Sequence, residues 1–186
     1  METIPPFSAD PQARITEALR GALEALKLAR REAEGGASDP ARRRWTALGL
    51  VSALQAALVA ALSGYDTARE EAVRDLAHPD RIAPVAMLLR RARSAEYLNR
   101  PERLELTGSR QRALERLMAV RNAAVHALRV ETPETFADDA MAAADLIAHL
   151  VLEAPAFDAA AARLQTVLIA DELKALRAAL VQSPRD

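Results

Sequence analysis

Hydrophobic residues recur every three or four positions along most of the chain, with turn signals between the periodic stretches. This spacing places apolar side chains on one face of a helix, and no alternating strand pattern is apparent. Asp-Pro, Thr-Pro and Gly-containing segments mark helix starts and stops. The pattern predicts helices at residues 11–33, 40–63, 66–77, 80–98, 109–129, 133–153 and 156–181. We therefore expect an all-α, up-down helical bundle of about six to seven helices.

The helix predicted at residues 40–63 is the most apolar. Residues 45–64 carry no charge over 20 positions, which is the length of a membrane span, and three arginines precede them. However, the run contains Thr, Ser and Gln, is richer in Ala than in Ile or Phe, and lies between amphipathic helices that need an apolar partner. We interpret it as the central helix of a soluble bundle, with a membrane anchor as the alternative.

The composition limits the classes of function. A chain of 186 residues fits a single helical domain, 1–186. The absence of cysteine excludes disulfides, thiolate metal sites and cysteine nucleophiles. Aromatic residues make up 3% of the chain, which argues against a single-strand binder that stacks bases. The acidic, Pro-containing N-terminus lacks the pattern of a signal peptide, so the sequence predicts a cytoplasmic protein without membrane contact.

Charge is distributed unevenly although the net charge is −1. Residues 81–129 contain eleven Arg and four Glu, whereas residues 130–186 carry a net charge of −6. Arginine supplies 23 of the 25 cationic residues, and its guanidinium suits bidentate phosphate contact. The positive block is therefore a candidate surface for a polyanion, and a solvated face balanced by the acidic C-terminal segment is the equally consistent alternative.

The helix predicted at residues 109–129 has polar residues that packing does not require. At 100° per residue, Arg121 falls inside the apolar arc, where a guanidinium is costly unless it meets an anion or an opening. Asn122 and His126 lie one turn apart at the edge of this arc. The arc itself contains Leu114, Leu117, Met118, Val125 and Leu128. A strip of small residues that could admit another helix contains Ala119, Ala123 and Ala127.

The segment RNAAVH, residues 121–126, resembles the R-x4–6-H motif of the HEPN domain superfamily. These are small helical domains, and many act as metal-independent endoribonucleases. Two earlier segments resemble the first two HEPN helices in the family's order, ALGLVSALQAALVAALSGYD and HPDRIAPVAMLLRRA. The resemblance covers residues 40–153 as a HEPN-like core, with helices 11–33 and 156–181 appended to it.

The resemblance implies a ribonuclease of the toxin, RNA-processing or defence type, with no cofactor and no metal. Arg121, Asn122 and His126 would be the catalytic residues, and a homodimer would form the site, because HEPN active sites are commonly composite across two copies. An antitoxin protein is a further implied partner. Toxins paired with nucleotidyltransferase antitoxins usually have Tyr two residues after the His, where this chain has Leu128. RNA contacts are predicted for Arg112, Arg116 and Arg129 of the same helix.

The residue types fit cleavage through the RNA 2′-OH. Histidine, with an ordinary pKa of about 6.5, exchanges protons near neutral pH, so His126 could act as base or acid. Arg121 could hold the phosphate, and Asn122 could orient His126 or a phosphate oxygen. Arg121 and His126 point about 140° apart on one helix, which favours a site shared by two copies. DNA, which lacks the 2′-OH, should not be cleaved.

Two other interpretations of the sequence compete with catalysis. The first is a non-catalytic, dimeric helical module that binds a nucleotide or a protein partner, with Arg121 and Asn122 in structural roles. The second concerns Asp145 and His149, which are one turn apart and could share a metal ion. One such pair lacks the ligands of a metal site, so the sequence predicts a hydrogen bond on a helix surface instead.

Overall fold

The computed structural model describes residues 10–36, 39–65, 69–126 and 132–182. Within these ranges the chain is an all-α helical bundle, which confirms the predicted fold class. Strand-type pairing is limited there to one bridge between Arg74 and Ile82. A 3-10 turn at Pro40–Arg42 precedes the second helix, and a π-helical turn at His149–Glu153 extends the fifth. The six helices are α1 Pro11–Gly36, α2 Arg43–Leu62, α3 Val85–Ala92, α4 Gly108–Val125, α5 Phe136–Ala148 and α6 Arg163–Gln182.

Helix α2 is the centre of the bundle, as its apolar composition predicted. It packs against α1, α3, α4 and α5, and its leucine ridge is buried at Leu50, Leu54 and Leu58. By length and composition Pro40–Leu62 could cross a membrane, but 72% of its most apolar window is buried inside the fold. Its apolar surface is thus largely covered by the neighbouring helices.

The first and last helices share the hydrophobic core with α2. Helix α1 packs along α2 and also contacts α6. Ile15 and Leu26 of α1 and Leu173 and Leu176 of α6 belong to the same buried cluster as the α2 leucines. These two helices, named above as additions to a 40–153 core, therefore contribute to the packing of that core.

The predicted helix starts are confirmed at three positions. Asp10 accepts hydrogen bonds from the backbone N–H groups of residues 12 and 13 at the start of α1. Asp39 accepts one from Ala41 before α2, and Thr107 caps α4 by accepting from Arg110. Each cap satisfies N–H groups that have no partner within the helix.

The prediction of a short helix at residues 66–77 is wrong for residues 69–77. Residues 66–68 lie outside the described ranges, and the rest contains a single 3-10 turn at Glu70–Ala72. The reason is tertiary: the buried Arg91 donates from Nη1 to the carbonyl oxygens of Ala72 and Arg74, at 3.1 and 2.9 Å. These two carbonyl oxygens are satisfied by a side chain of α3, so they do not require partners within a helix.

Three other predicted boundaries are also corrected. The helix predicted at 80–98 spans only Val85–Ala92. It begins late because Pro84 disfavours helical geometry in the residue before it. The helix predicted at 133–153 begins at Phe136 and becomes π-helical at His149. The helix predicted at 156–181 begins at Arg163, because the Asp158 side chain accepts from the N–H groups of residues 160 and 161 and forms a turn.

Glu32 links the end of α1 to the start of α2. Its Oε2 accepts from Arg42 Nε at 2.9 Å, and its Oε1 accepts from Arg31 Nε at 3.1 Å. The hydrogen bond from Arg42 is the main reason that the pKa of Glu32 is lowered from its ordinary value of 4.5. A lowered pKa means that this carboxylate stabilises the fold fully above the unfolded-state pKa and loses that effect as the pH falls through the folded-state pKa.

We expect Glu32→Gln to lower the Tm at pH 7 by about 2–4 °C, because the neutral amide lacks the carboxylate charge that strengthens the hydrogen bonds from Arg42 and Arg31. The difference from the unmodified protein should shrink as the pH is lowered below 4.5. Thermal melts across this pH range measure it, with the exposed Glu17→Gln on the same helix as control. A difference that stays constant with pH would contradict the assigned role.

Candidate functional site

Helix α4 carries the predicted site, and its buried face is rotated about the helix axis relative to the face predicted from the sequence. Its buried arc faces α2 and α5 and consists of Ala113, Leu114, Leu117 and Val120. Val125, predicted inside this arc, is 51% exposed, and that prediction is wrong. The helix packs between two neighbours, which centres the buried arc on Leu117 and leaves Val125 at the solvent side of the last turn.

Arg121 is partly buried in the last turns of α4, as its place in the arc predicted. Its Nη1 donates to Asn122 Oδ1 at 2.9 Å. Its Nε is buried and has no hydrogen-bond partner in the part of the chain that the structure describes. The Oδ1 atom of Asn122 therefore orients the guanidinium of Arg121. The sequence analysis had instead assigned Asn122 to orient His126 or a phosphate oxygen.

His126 forms the C-cap of α4 and is exposed. Its backbone N–H donates to the Asn122 carbonyl oxygen at 3.0 Å. Over residues 69–126 and 132–182, no hydrogen bond joins its imidazole to Arg121 or Asn122. The structure thus brings two of the three predicted catalytic side chains together and places the third on the same helix end, open to solvent.

The small-residue strip and the predicted RNA contacts are only partly within the described ranges. Ala119 is exposed and Ala123 is partly buried. Arg112 is exposed and makes no side-chain ion pair with any described residue. Ala127, Leu128 and Arg129, named in the sequence analysis, lie outside the described residues.

Arg116 has a structural partner that the sequence did not indicate. Its Nε and Nη2 donate to the two carboxylate oxygens of Asp139, at 2.9 and 2.6 Å. Asp139 is 2% exposed and also accepts from Thr135 Oγ1. Hydrogen bonding to Asp139 raises the pKa of Arg116. This pair joins α4 to α5, so a contact of Arg116 with RNA, which stays a prediction, would have to share its guanidinium with Asp139.

A second polar feature, which sequence analysis missed, is a cavity of about 690 Å³ at the opposite end of α4. It lies between the loop before α4, the first turn of α4 and the end of α5. We call it the arginine cavity. Its charged and titratable lining residues are Arg100, Arg103, Glu105, Arg110, Asp145, His149 and Glu153, and its other lining residues are Pro101, Leu104 and Leu146.

The predicted hydrogen bond between Asp145 and His149 is wrong. Asp145 accepts instead from Arg177 Nη2 of α6, at 2.9 Å. His149 Nδ1 lies 3.7 Å from Glu153 Oε2 within the π-helical turn, where Ala154 N–H donates to the His149 carbonyl oxygen. Nowhere in the described ranges do three or more His, Asp or Glu side chains form a group that could hold a metal ion.

The sequence contained one signal for the arginine cavity, the positive block of residues 81–129. Three of its arginines line the cavity, two from the loop and one from α4. Asp145, His149 and Glu153 come from α5 and the π-helical turn that extends it, about 40 residues further along the chain. Helical spacing relates only residues within one helix, so it could not predict that these segments meet. Their proximity depends on the packing of α4 on α5.

Comparison of the chain with protein-family models, with curated proteins and with solved structures gave no significant match. The similarity to HEPN domains therefore rests on the three quoted segments, of which RNAAVH is the most specific.

Proposed function

We propose that this protein is a HEPN-like endoribonuclease that cleaves RNA through the 2′-OH without a metal ion. The observation that carries the proposal is the state of Arg121. Its guanidinium is partly buried, is held by Asn122, has an unpartnered Nε and has no carboxylate partner among the described residues. A partly buried cation in this state is stabilised when an anion binds beside it.

Three other partly exposed arginines contrast with Arg121. Arg30 pairs with Glu172 and Glu34, Arg116 with Asp139, and Arg177 with Asp145. Each of these guanidinium groups is neutralised within the protein. Arg121 instead has its charge available at a helix end that also presents an exposed histidine. An RNA phosphate is the anion that the residue pattern of this helix fits best.

The proposed chemistry follows from these groups. A base removes the 2′-OH proton, the 2′ oxygen attacks phosphorus, and the bond from phosphorus to the 5′ oxygen breaks. The leaving 5′ oxygen takes up a proton, which gives a 2′,3′-cyclic phosphate and a 5′-hydroxyl. His126 is assigned one of the two proton transfers. Arg121 is assigned the charge that develops on the phosphate, with Asn122 fixing the guanidinium.

The site is proposed to be shared by two copies related by a two-fold axis. Arg121 and His126 lie five positions apart on one helix, about 140° around its axis. Ala119, which is exposed, and Ala123, which is partly buried, lie one turn apart on α4 and provide a small-residue surface on which a second α4 could lie. In this arrangement Arg121 of one copy faces His126 of the other. A toxin or defence role with an antitoxin partner stays an expectation from the resemblance.

The test is cleavage of a labelled oligoribonucleotide by the purified full chain in EDTA, beside the same sequence made with 2′-deoxy nucleotides. We expect cleavage of the RNA alone, with 2′,3′-cyclic phosphate on the new ends. Cleavage of the deoxy strand, or 3′-hydroxyl ends, would contradict the mechanism. An RNA that binds and stays intact would favour the non-catalytic binding module.

A further inference from the structure

We propose that the arginine cavity binds a small phosphomonoester, such as a sugar phosphate or a mononucleotide. The cavity belongs to a different part of the molecule from the ribonuclease site. Arg110 in its wall and Arg121 are eleven residues apart on α4, which corresponds to about 16 Å along the helix. The proposal therefore does not depend on RNA cleavage.

The charge of the cavity is the first argument. Arg100 pairs with Glu105 at 2.6 Å, and Asp145 is neutralised by Arg177 from outside the lining. The side chains of Arg103 and Arg110 have no hydrogen bond or ion pair with any described residue. Two guanidinium groups without an ion pair that line the same cavity can each bind the oxygens of a dianionic phosphate.

The end of α5 supplies the second argument. His149 lines the cavity, and its Nε2 is buried without a hydrogen-bond partner in the described part of the chain. A buried polar atom without a partner calls for one from outside the protein. The π-helical turn that holds His149 is a type of helix distortion that is frequent at functional sites. Glu153, from the same turn, can accept hydrogen bonds from sugar hydroxyls.

The size and lining of the cavity narrow the class of ligand. A volume of about 690 Å³ is typical of sites for small molecules. The buried Leu104 and Leu146 contribute apolar lining, while the arginines, His149 and Glu153 supply the polar groups. A phosphate on Arg103 and Arg110, with a hydroxyl-bearing sugar toward Glu153, uses each of these features.

The test is calorimetric titration of the full chain with ribose 5-phosphate, AMP, inorganic phosphate and ribose. We expect ribose 5-phosphate or AMP to bind at least about 10-fold more tightly than inorganic phosphate, because each also engages the sugar-facing wall. Ribose alone should show no heat of binding. The tighter of the two phosphorylated probes identifies the source of the phosphate, a sugar phosphate or a nucleotide.

Variants connect the binding to this cavity. Arg103→Gln and Arg110→Gln should each weaken the Kd about 10-fold or more, since each removes a bidentate contact. Neither arginine has an ion pair to lose, so their melting temperatures should match that of the control Arg20→Gln, an exposed arginine of α1. The proposal is overturned if these variants bind like the control, if ribose binds as tightly as its phosphate, or if no phosphorylated probe binds below about 10 mM.

Discussion

Replacement of His126 by Ala is expected to lower the rate of RNA cleavage by about 100-fold or more, because a positioned proton-transfer group contributes about 10²–10⁴-fold. Arg121→Ala should cause a loss of about the same size, since it removes the charge that stabilises the phosphate. Both effects are measured as initial rates on the labelled oligoribonucleotide in EDTA. The matched controls are His78→Ala in an exposed turn and Arg20→Ala on α1, which should cleave at the unmodified rate.

A mixture of the two inactive variants tests whether two copies share the site. If Arg121 of one copy works with His126 of the other, an equimolar mixture contains heterodimers with one complete site. Half of the dimers would be mixed, so activity should return to about a quarter of the native rate. A mixture as inactive as its components would place both residues within one copy. Activity that is equal in all variants and in the native protein would indicate a contaminating nuclease.

The fold could be predicted from the sequence where local and tertiary preferences agree. The helix starts near residues 11, 40 and 109, where Asp10, Asp39 and Thr107 act as caps, and the apolar character of α2 were predicted correctly, because each depends on residues within one or two turns of each other. The region between α2 and α3 was not, because Arg91 reaches back across 17 to 19 residues to the carbonyl oxygens of that segment. No local pattern encodes such a contact.

The same distinction between local and tertiary contacts applies to the candidate site. The helical angle of Arg121 predicted its partial burial, but the contact with Asn122 involves consecutive residues, which helical spacing does not bring face to face. The partner of Arg116 comes from α5, 23 residues away in sequence. The arginine cavity likewise joins a loop, α4 and the end of α5. Functional groups on one helix could be identified from the sequence, whereas contacts and cavities formed between helices could not.

The close approach of α1 and α2 depends on Gly49, which is buried in α2. A Cβ atom at this position would lie 2.7 Å from the Ala25 carbonyl oxygen and 2.7 Å from the Ala29 backbone nitrogen of α1. Both are backbone atoms, so the two helices would have to move apart to relieve the overlap. At Gly21, within α1, an added Cβ would meet nothing within 4 Å. Replacing each glycine by alanine therefore distinguishes the effect of packing, which applies only at Gly49, from the effect of helix propensity, which applies at both positions.

Gly49→Ala is expected to destabilise the fold by about 2 kcal/mol, because overpacking of the α1–α2 contact outweighs the gain in helix propensity. Gly21→Ala should instead stabilise it by about 0.5–1 kcal/mol, since only the propensity gain applies there. Urea unfolding measures both free energies, and the midpoints should move in opposite directions. Midpoints that rise together would mean that α1 does not approach α2 closely at Gly49. That result would also question the burial of α2, on which the placement of α4 and its candidate site depends.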